Sequence, residues 1–337
     1  MEIEELRQLL EMCCNFDEDD TKRFWLPSYL KYQFHMIARN DDVAHIDWDS
    51  IMSNPQYDFA LKTKLRWSKN VNEERDAPEQ IMLGAADWKW CVILGLAIHL
   101  EVWIGAGTGM VNDKIFTAGE NDNPDATKQR SATLLKELVK SEEFVQLIEA
   151  LLGLHSIRKA ARTHCRRMGR SKDDCNYRGR WKGKKRIGDV YEDTILPYPD
   201  ALVAETLCIG GAIRYSLRTG SGIDNAWIQE QVVPNIALRY NEAVCNVLGR
   251  ALLWACFDPE ASTYVPHSIK EHVVEEYGRL QRHVPEGENP IKKVRLVING
   301  AEDQVVIMSI DMDKENNEGN GEAGEWRRRR RRQCEQE

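Results

Sequence analysis

The stretch from Leu154 to Tyr191 reads LHSIRKAARTHCRRMGRSKDDCNYRGRWKGKKRIGDVY. Its first part, Ser156–Met168, is helical by composition and is stopped near Gly169. Ser171 then offers an N-cap for a second, short helix over Ser171–Asn176. His155 and Arg158 stand three apart near a helix start, so they share a face and can approach one anion together. Trp181 follows Arg158 by 23 residues, inside Arg178-Gly179-Arg180-Trp181-Lys182. Tyr191 lies ten residues further on, in Gly188-Asp189-Val190-Tyr191-Glu192. Between His155 and Ile187 there are thirteen Lys or Arg against two Asp, a local net charge of +11. The whole chain carries −8, which leaves about −19 for the remainder. That asymmetry describes one anion-facing strip on an acidic body. A solvated basic helix and loop is the plainer alternative.

Outward from this strip, the chain has 337 residues, room for one large domain or two ordinary ones. Hydrophobic residues make up 42% and charged residues 30%, which suits a packed core under a well-solvated surface. The longest apolar run, Cys91–Leu100, is ten residues, short of the roughly 18 that would span a bilayer, and reads as a buried helix. The first ten residues are acidic and lack a signal-peptide pattern, so an intracellular protein is expected. Nine cysteines without a C-x-x-C pair read as reduced thiols. His164 with Cys165 and Cys175 makes only a poor zinc pattern, and no metal is expected.

The periodicity predicts a mainly α fold with a small antiparallel β-sheet. Residues 1–24 read as one short helix, with Leu6, Leu9, Leu10 and Cys13 at helical spacing, and 27–53 as helix and then irregular chain. Phe59–Trp67 alternates like a strand, Ser68–Asn72 is a turn, and Gln80–Leu83 returns. Asp87–Ile104 is a strong helix with Asp87 as N-cap and Gly105–Gly109 as its stop. Ala126–Leu152 carries one or two helices. Pro197 and Pro199 mark a boundary, after which residues 200–282 read as mostly helical, most clearly Val232–Leu253. Lys293–Ile310 is a hairpin turning at Asn299-Gly300. Beyond Asp311 the chain is acidic and glycine-rich, then carries Arg327–Arg332, which reads as a disordered tail.

The ordered trio His155-x-x-Arg158, Trp181 and Tyr191 resembles the tyrosine recombinase, or phage integrase, family. The segment Leu154-His155-Ser156-Ile157-Arg158-Lys159-Ala160-Ala161 is similar to that family's H-x-x-R helix, small residues included. The resemblance implies two more residues upstream. Arg39, in Met36-Ile37-Ala38-Arg39-Asn40-Asp41-Asp42-Val43, stands 116 residues before His155, with Asp42 where the family places a bracing acid. Lys69, 30 residues after Arg39, sits in the expected hairpin turn; Lys62, Lys64 and Arg66 are neighbours that could replace it. Arg39, Lys69, His155, Arg158, Trp181 and Tyr191 thus fill the six family positions in order, over roughly residues 27–195.

What the resemblance implies is cleavage and rejoining of double-stranded DNA, as in site-specific recombination or integration by a mobile element. Two arginine forks would hold the non-bridging oxygens of one phosphodiester. His155 would help Tyr191 lose its proton, and Lys69 would supply one to the departing 5′ oxygen. Trp181 would bond the phosphate or buttress the tyrosine segment. The 3′-phosphotyrosyl product keeps the bond energy, so no cofactor, ATP or metal is expected. Tyr177 and Tyr198 are rival nucleophiles. Arg162, Arg166, Arg167, Arg170, Lys182, Lys184, Lys185 and Arg186 would touch DNA backbone or stay solvated.

By the same resemblance, residues 1–26 are a remnant of, or link to, a DNA-clamp domain, and 27–197 form a recombinase-like catalytic domain. Residues 198–310 form a mostly helical C-terminal extension ending in a β-hairpin, and 311–337 the tail. Self-association on DNA is implied, and nuclear location if the source is eukaryotic, where the Arg-rich tail would serve import. Such a short N-terminal part and long C-terminal part depart from the family pattern and put full recombination in doubt. A DNA-binding derivative without activity is one alternative. A type IB topoisomerase is another, disfavoured because the histidine here precedes the second arginine.

Overall fold

A computed structural model describes residues 1–15, 21–67, 78–107, 113–117, 123–181, 200–280, 289–301 and 304–311. The chain opens with α1 (Ile3–Cys14), whose Leu6, Leu9, Leu10 and Cys13 are buried as their spacing demands. A wide helical turn at Thr21–Trp25 leads into α2 (Leu26–His35) and the short α3 (Asn40–Ala44). Strands β1 (Ile51–Ser53), β2 (Leu61–Lys64) and β3 (Glu79–Met82) form an antiparallel sheet in that order. β4 (Gly84–Ala85) follows, then α4 (Val92–Gly105). Next come α5 (Pro124–Lys140), α6 (Leu154–Arg167), α7 (Lys172–Arg178) and α8 (Asp200–Leu207). β5 (Ala212–Leu217), α9 (Glu242–Phe257), α10 (His267–Leu280), β6 (Ile291–Ala301) and β7 (Gln304–Asp311) complete the described chain. The second sheet is antiparallel in the order β4-β5-β6-β7.

The fold is mainly α with two small antiparallel sheets. Helix α4 is apolar on every side and is buried along nearly its whole length, as an all-round hydrophobic helix must be. It packs on α2, α9 and β4. Its one carboxylate, Glu101, is buried and accepts from the backbone of Asn235 and Ile236, at 3.1 Å each, and from Asn235 Nδ2 at 2.8 Å. Residues after Pro199 therefore share the core of those before it, through α4·α9 packing and the β4–β5 pairing. No helix among the described residues is long and apolar enough to cross a membrane.

Several local expectations are corrected. Asp87 caps only a 3-10 turn, Trp88–Trp90, and Cys91 caps α4 itself. Helix stops at Lys140, and residues 141–153 do not form the second helix that Val145, Ile148 and Leu152 suggested. There the side chains of α1 capture the backbone: Glu5 Oε1 accepts from Leu147 N (2.8 Å) and Ile148 N (3.2 Å), and Gln8 bonds Val145. Ala212–Leu217 is a strand inside the region read as helical, because it is bordered by Gly210-Gly211 and Gly220 and pairs on both edges. Helix α9 begins at Glu242, where Asn241 accepts from Val244 N, and not at Val232. The C-terminal hairpin does not turn at Asn299-Gly300: these residues still pair with Val306 and Val305, and Ala301 pairs with Gln304.

Among the described residues two histidines are fully buried: His35 Nε2 donates to Trp90 O at 2.9 Å and His99 Nε2 to Ile115 O at 3.0 Å. Burial pushes them down from 6.5 to about 3 and about 4. The unfolded chain therefore binds more protons below pH 6.5, and stability is complete above that pH and drains away as pH falls toward 4 and 3. At pH 5 each histidine is expected to remove about 2 kcal/mol of the unfolding free energy found at pH 7. Urea unfolding of wild type, His35→Gln and His99→Gln at both pH values checks this; an unchanged slope in the variants rejects it.

Candidate functional site

Arg178, at the C-terminus of α7, is fully buried and fans out to three elements. Its Nε donates to His35 O of α2 at 2.7 Å and its Nη2 to Ile81 O of β3 at 2.9 Å. Its Nη1 pairs with Asp200 Oδ1 of α8 at 2.6 Å, and Asp200 also accepts from Ile81 N at 2.5 Å. Gln80 Nε2 closes the knot on Arg178 O at 2.8 Å. A buried pair like this needs every remaining donor satisfied, and here backbone carbonyls do so.

Two helix ends next to this knot leave by the same motif. After α2, Ile37 N bonds Phe34 O (3.1 Å) and Ala38 N bonds Gln33 O (2.9 Å). After α7, Arg180 N bonds Tyr177 O and Trp181 N bonds Asn176 O, both at 3.0 Å. These are Schellman turns, whose left-handed position is usually glycine. Here it is held by Ile37 at φ 44° and Arg180 at φ 55°. Strain of about 1–2 kcal/mol at each position is tolerated in the two turns that deliver Arg39 and Trp181.

Between them lies Asp42, buried in the first turn of α3. Its Oδ2 accepts from Arg39 N at 3.0 Å and from Arg180 Nη2 at 2.9 Å. Arg158 Nη1, from α6, is 3.6 Å from the same oxygen. Arg158 is 2% exposed and its Nη2 donates to Gly179 O. The Arg158 guanidinium carbon lies 4.3 Å from the Trp181 ring centroid, and that of Arg162, one turn on, lies 4.9 Å away. Burial, then Arg180 and Arg39, push the Arg158 guanidinium down to about 9, still above neutral pH. Nη1 of Arg39 and Nη1 of Arg158 are both buried and make no hydrogen bond. Arg158 thus holds one buried nitrogen in reserve 3.6 Å from the Asp42 carboxylate, and Arg39 holds another near enough to lower the Arg158 guanidinium, an excess of cationic donors that can take up an anion.

Of the residues singled out in the sequence, Arg39, Asp42, Arg158 and Trp181 come together, and Arg162 joins them. His155 is exposed on α6, one turn ahead of Arg158. Lys69, Tyr191, Tyr198, Lys182, Lys184, Lys185 and Arg186 lie outside the described residues. Lys62 is engaged by Glu79 at 2.8 Å, and Arg66 Nη2 by Asp49 O at 3.3 Å. Tyr177 is half-buried, and burial, then Asp200 and Glu79, push its hydroxyl up to about 12. Arg166 is exposed. Arg167 bonds Glu2 of α1, while Arg170 holds Thr206 Oγ1 at 2.6 Å and Glu205 at 3.2 Å, so both tie helices together. His164 Nε2 bonds Thr206 O, and among the described residues no group of three His, Cys, Asp or Glu side chains could hold a metal ion. Arg178 and Arg180 were visible in the basic motif but had no assigned part, because composition cannot tell a buried arginine from a solvated one. Comparison with protein-family models, curated proteins and solved structures finds no match for the chain.

Gly179 separates these two arginines because nothing larger fits: a Cβ there would stand 1.7 Å from Trp181 Cζ3. Its φ of −78° is comfortable for alanine, so the effect of Gly179→Ala is purely steric. That variant is expected to lose about 1–3 kcal/mol and to shift the Trp181 indole resonance, identified by Trp181→Phe; an unmoved resonance rejects the packing described. Asp200→Asn, which strands the Arg178 charge, is expected to lose about 3–5 kcal/mol in chemical denaturation. Arg178→Met with Asp200→Leu is expected to lose less than Asp200→Asn alone.

Proposed function

We propose that the Arg39–Arg158–Trp181 cluster receives one phosphodiester of double-stranded DNA, and that the chain is a DNA strand transferase of the tyrosine recombinase kind. The observation that carries this reading is the pair of buried guanidinium nitrogens without a hydrogen bond, Arg39 Nη1 and Arg158 Nη1, on two arginines close enough that Arg39 lowers the Arg158 guanidinium. Planar forks match phosphate oxygens two at a time, and charge placed before the reaction stabilises the second negative charge that attack creates. His155, exposed on α6 one turn before Arg158, is positioned on the solvent side where a bound strand would meet it. It would take the proton from Tyr191, the phenol that attacks phosphorus. The 5′ oxygen leaves with a proton from Lys69, and the reverse steps rejoin the strand.

Support comes also from what the rival phenol lacks. Tyr177, with its hydroxyl pushed up to about 12, is a poor candidate to ionise near neutral pH. Lys159 and Arg166 share the exposed side of α6 with His155 and extend a basic track away from the cluster.

The test is a suicide DNA substrate, nicked so that the cleaved strand is lost. Wild type is expected to form a covalent DNA adduct, Tyr191→Phe none, and Arg158→Lys to form it about 10²–10³-fold more slowly. DNA affinity is expected to fall steeply with salt, in Tyr191→Phe as in wild type. An adduct that persists in Tyr191→Phe reassigns the nucleophile. Salt-sensitive binding with no adduct in wild type leaves a DNA-binding protein without strand transfer.

A further inference from the structure

Asp42 sits between two guanidinium groups, those of Arg180 and Arg158. Its Oδ2 is taken by Arg39 N and Arg180 Nη2, and its Oδ1 is buried without a partner. Arg158 Nη1 stands 3.6 Å from Oδ2, within electrostatic reach but outside hydrogen-bond range. A carboxylate beside an arginine nitrogen without a hydrogen bond ordinarily closes onto it, which would occupy the donor a phosphate needs, since Arg158 Nη2 already donates to Gly179 O. Something keeps Asp42 from doing so.

The geometry points to Arg180 as that positioning residue: by holding Asp42, it keeps the Arg158 fork open for a phosphate. The inference rests on the phosphate-site reading above and adds to it a residue that never touches the ligand. Arg180 is 7% exposed, and both terminal nitrogens are committed. Nη1 donates to Gln80 Oε1 (3.0 Å), Arg178 O (3.2 Å) and Met36 O (3.4 Å), and Nη2 donates to Asp42. Its left-handed backbone, at φ 55°, fits this role, since the turn carries the side chain in toward Gln80 and Asp42 while sending Trp181 out against Arg158. The contact to Gln80 ties Arg180 to the Arg178 knot through the same side chain. Arg180 thus links the buried ion pair to the anion site, and one carboxylate is kept from closing on Arg158.

A positioning role and a direct ligand role predict opposite behaviour in a double variant. The probe is inorganic phosphate, and the readout is the rise in Tm with phosphate concentration, which gives both folding and apparent affinity from one melt. Wild type is expected to show a phosphate-dependent rise. Arg180→Met releases Asp42 onto Arg158 and is expected to weaken phosphate about tenfold. Adding Asp42→Asn removes the competitor, so Arg180→Met/Asp42→Asn is expected to return to within about threefold of wild type. Asp42→Asn alone is expected to bind phosphate at least as tightly as wild type. If Arg180→Met does not fold, Arg180→Gln carries the same comparison, since its neutral amide cannot hold Asp42 as an ion pair.

The outcomes separate cleanly. No phosphate response in wild type overturns the phosphate site and this inference with it. A wild-type response that Arg180→Met leaves intact overturns the positioning role alone. A response lost in Arg180→Met and still lost after Asp42→Asn makes Arg180 a direct ligand, and also overturns it.

Discussion

The ion pair between Arg178 and Asp200 is the constraint on which the rest of the structure depends. Fully buried, it joins the end of α2, the edge strand β3 and the start of α8 through one guanidinium. Taking such charges from water is costly, and the pair persists only because each donor meets a carbonyl or carboxylate at hydrogen-bond distance. The cation cluster around Asp42 is hung from it. Gln80 is oriented by Arg178 O, Arg180 by Gln80, and Asp42 by Arg180. The cation cluster therefore inherits its geometry from a structural pair two residues away in sequence from Arg180.

The left-handed turns show how unevenly the chain tolerates strain. The turn after α6 uses Gly169, at φ 84°, with the same pair of backbone bonds, Gly169 N to Arg166 O and Arg170 N to Cys165 O. It lies on the surface and takes the comfortable residue. The turns after α2 and α7 border the cation cluster and take isoleucine and arginine. A β-branched residue there is a true outlier. Among the described residues, backbone strain outside glycine is confined to these two turns, both beside the cation cluster.

How much of this could be read from the residues alone depended on where the deciding interaction lay. The helices α1, α4, α6 and α7 follow from local spacing and caps: Leu6, Leu9 and Leu10 in α1, the apolar run of α4, Ser171 before α7. The strand Ala212–Leu217 and the irregular segment after Lys140 did not, because partners far along the chain decide them: β4 and β6 for one, Glu5 and Gln8 for the other. In the site, Arg39, Asp42, Arg158 and Trp181 were legible as a family-like pattern. Arg180 was not, since its importance arises from a carboxylate 138 residues away. Among the basic residues assigned to a DNA-facing strip, Arg167 and Arg170 turn out to bind Glu2 and Glu205, which charge counting could not distinguish from solvated neighbours.

Trp181 and Asp200 are both fastened at the Arg178 knot, one against Arg158 and the other in the ion pair itself. Two separate parts of the chain therefore share one support, so a disturbance of the ion pair is transmitted to the ring that covers Arg158.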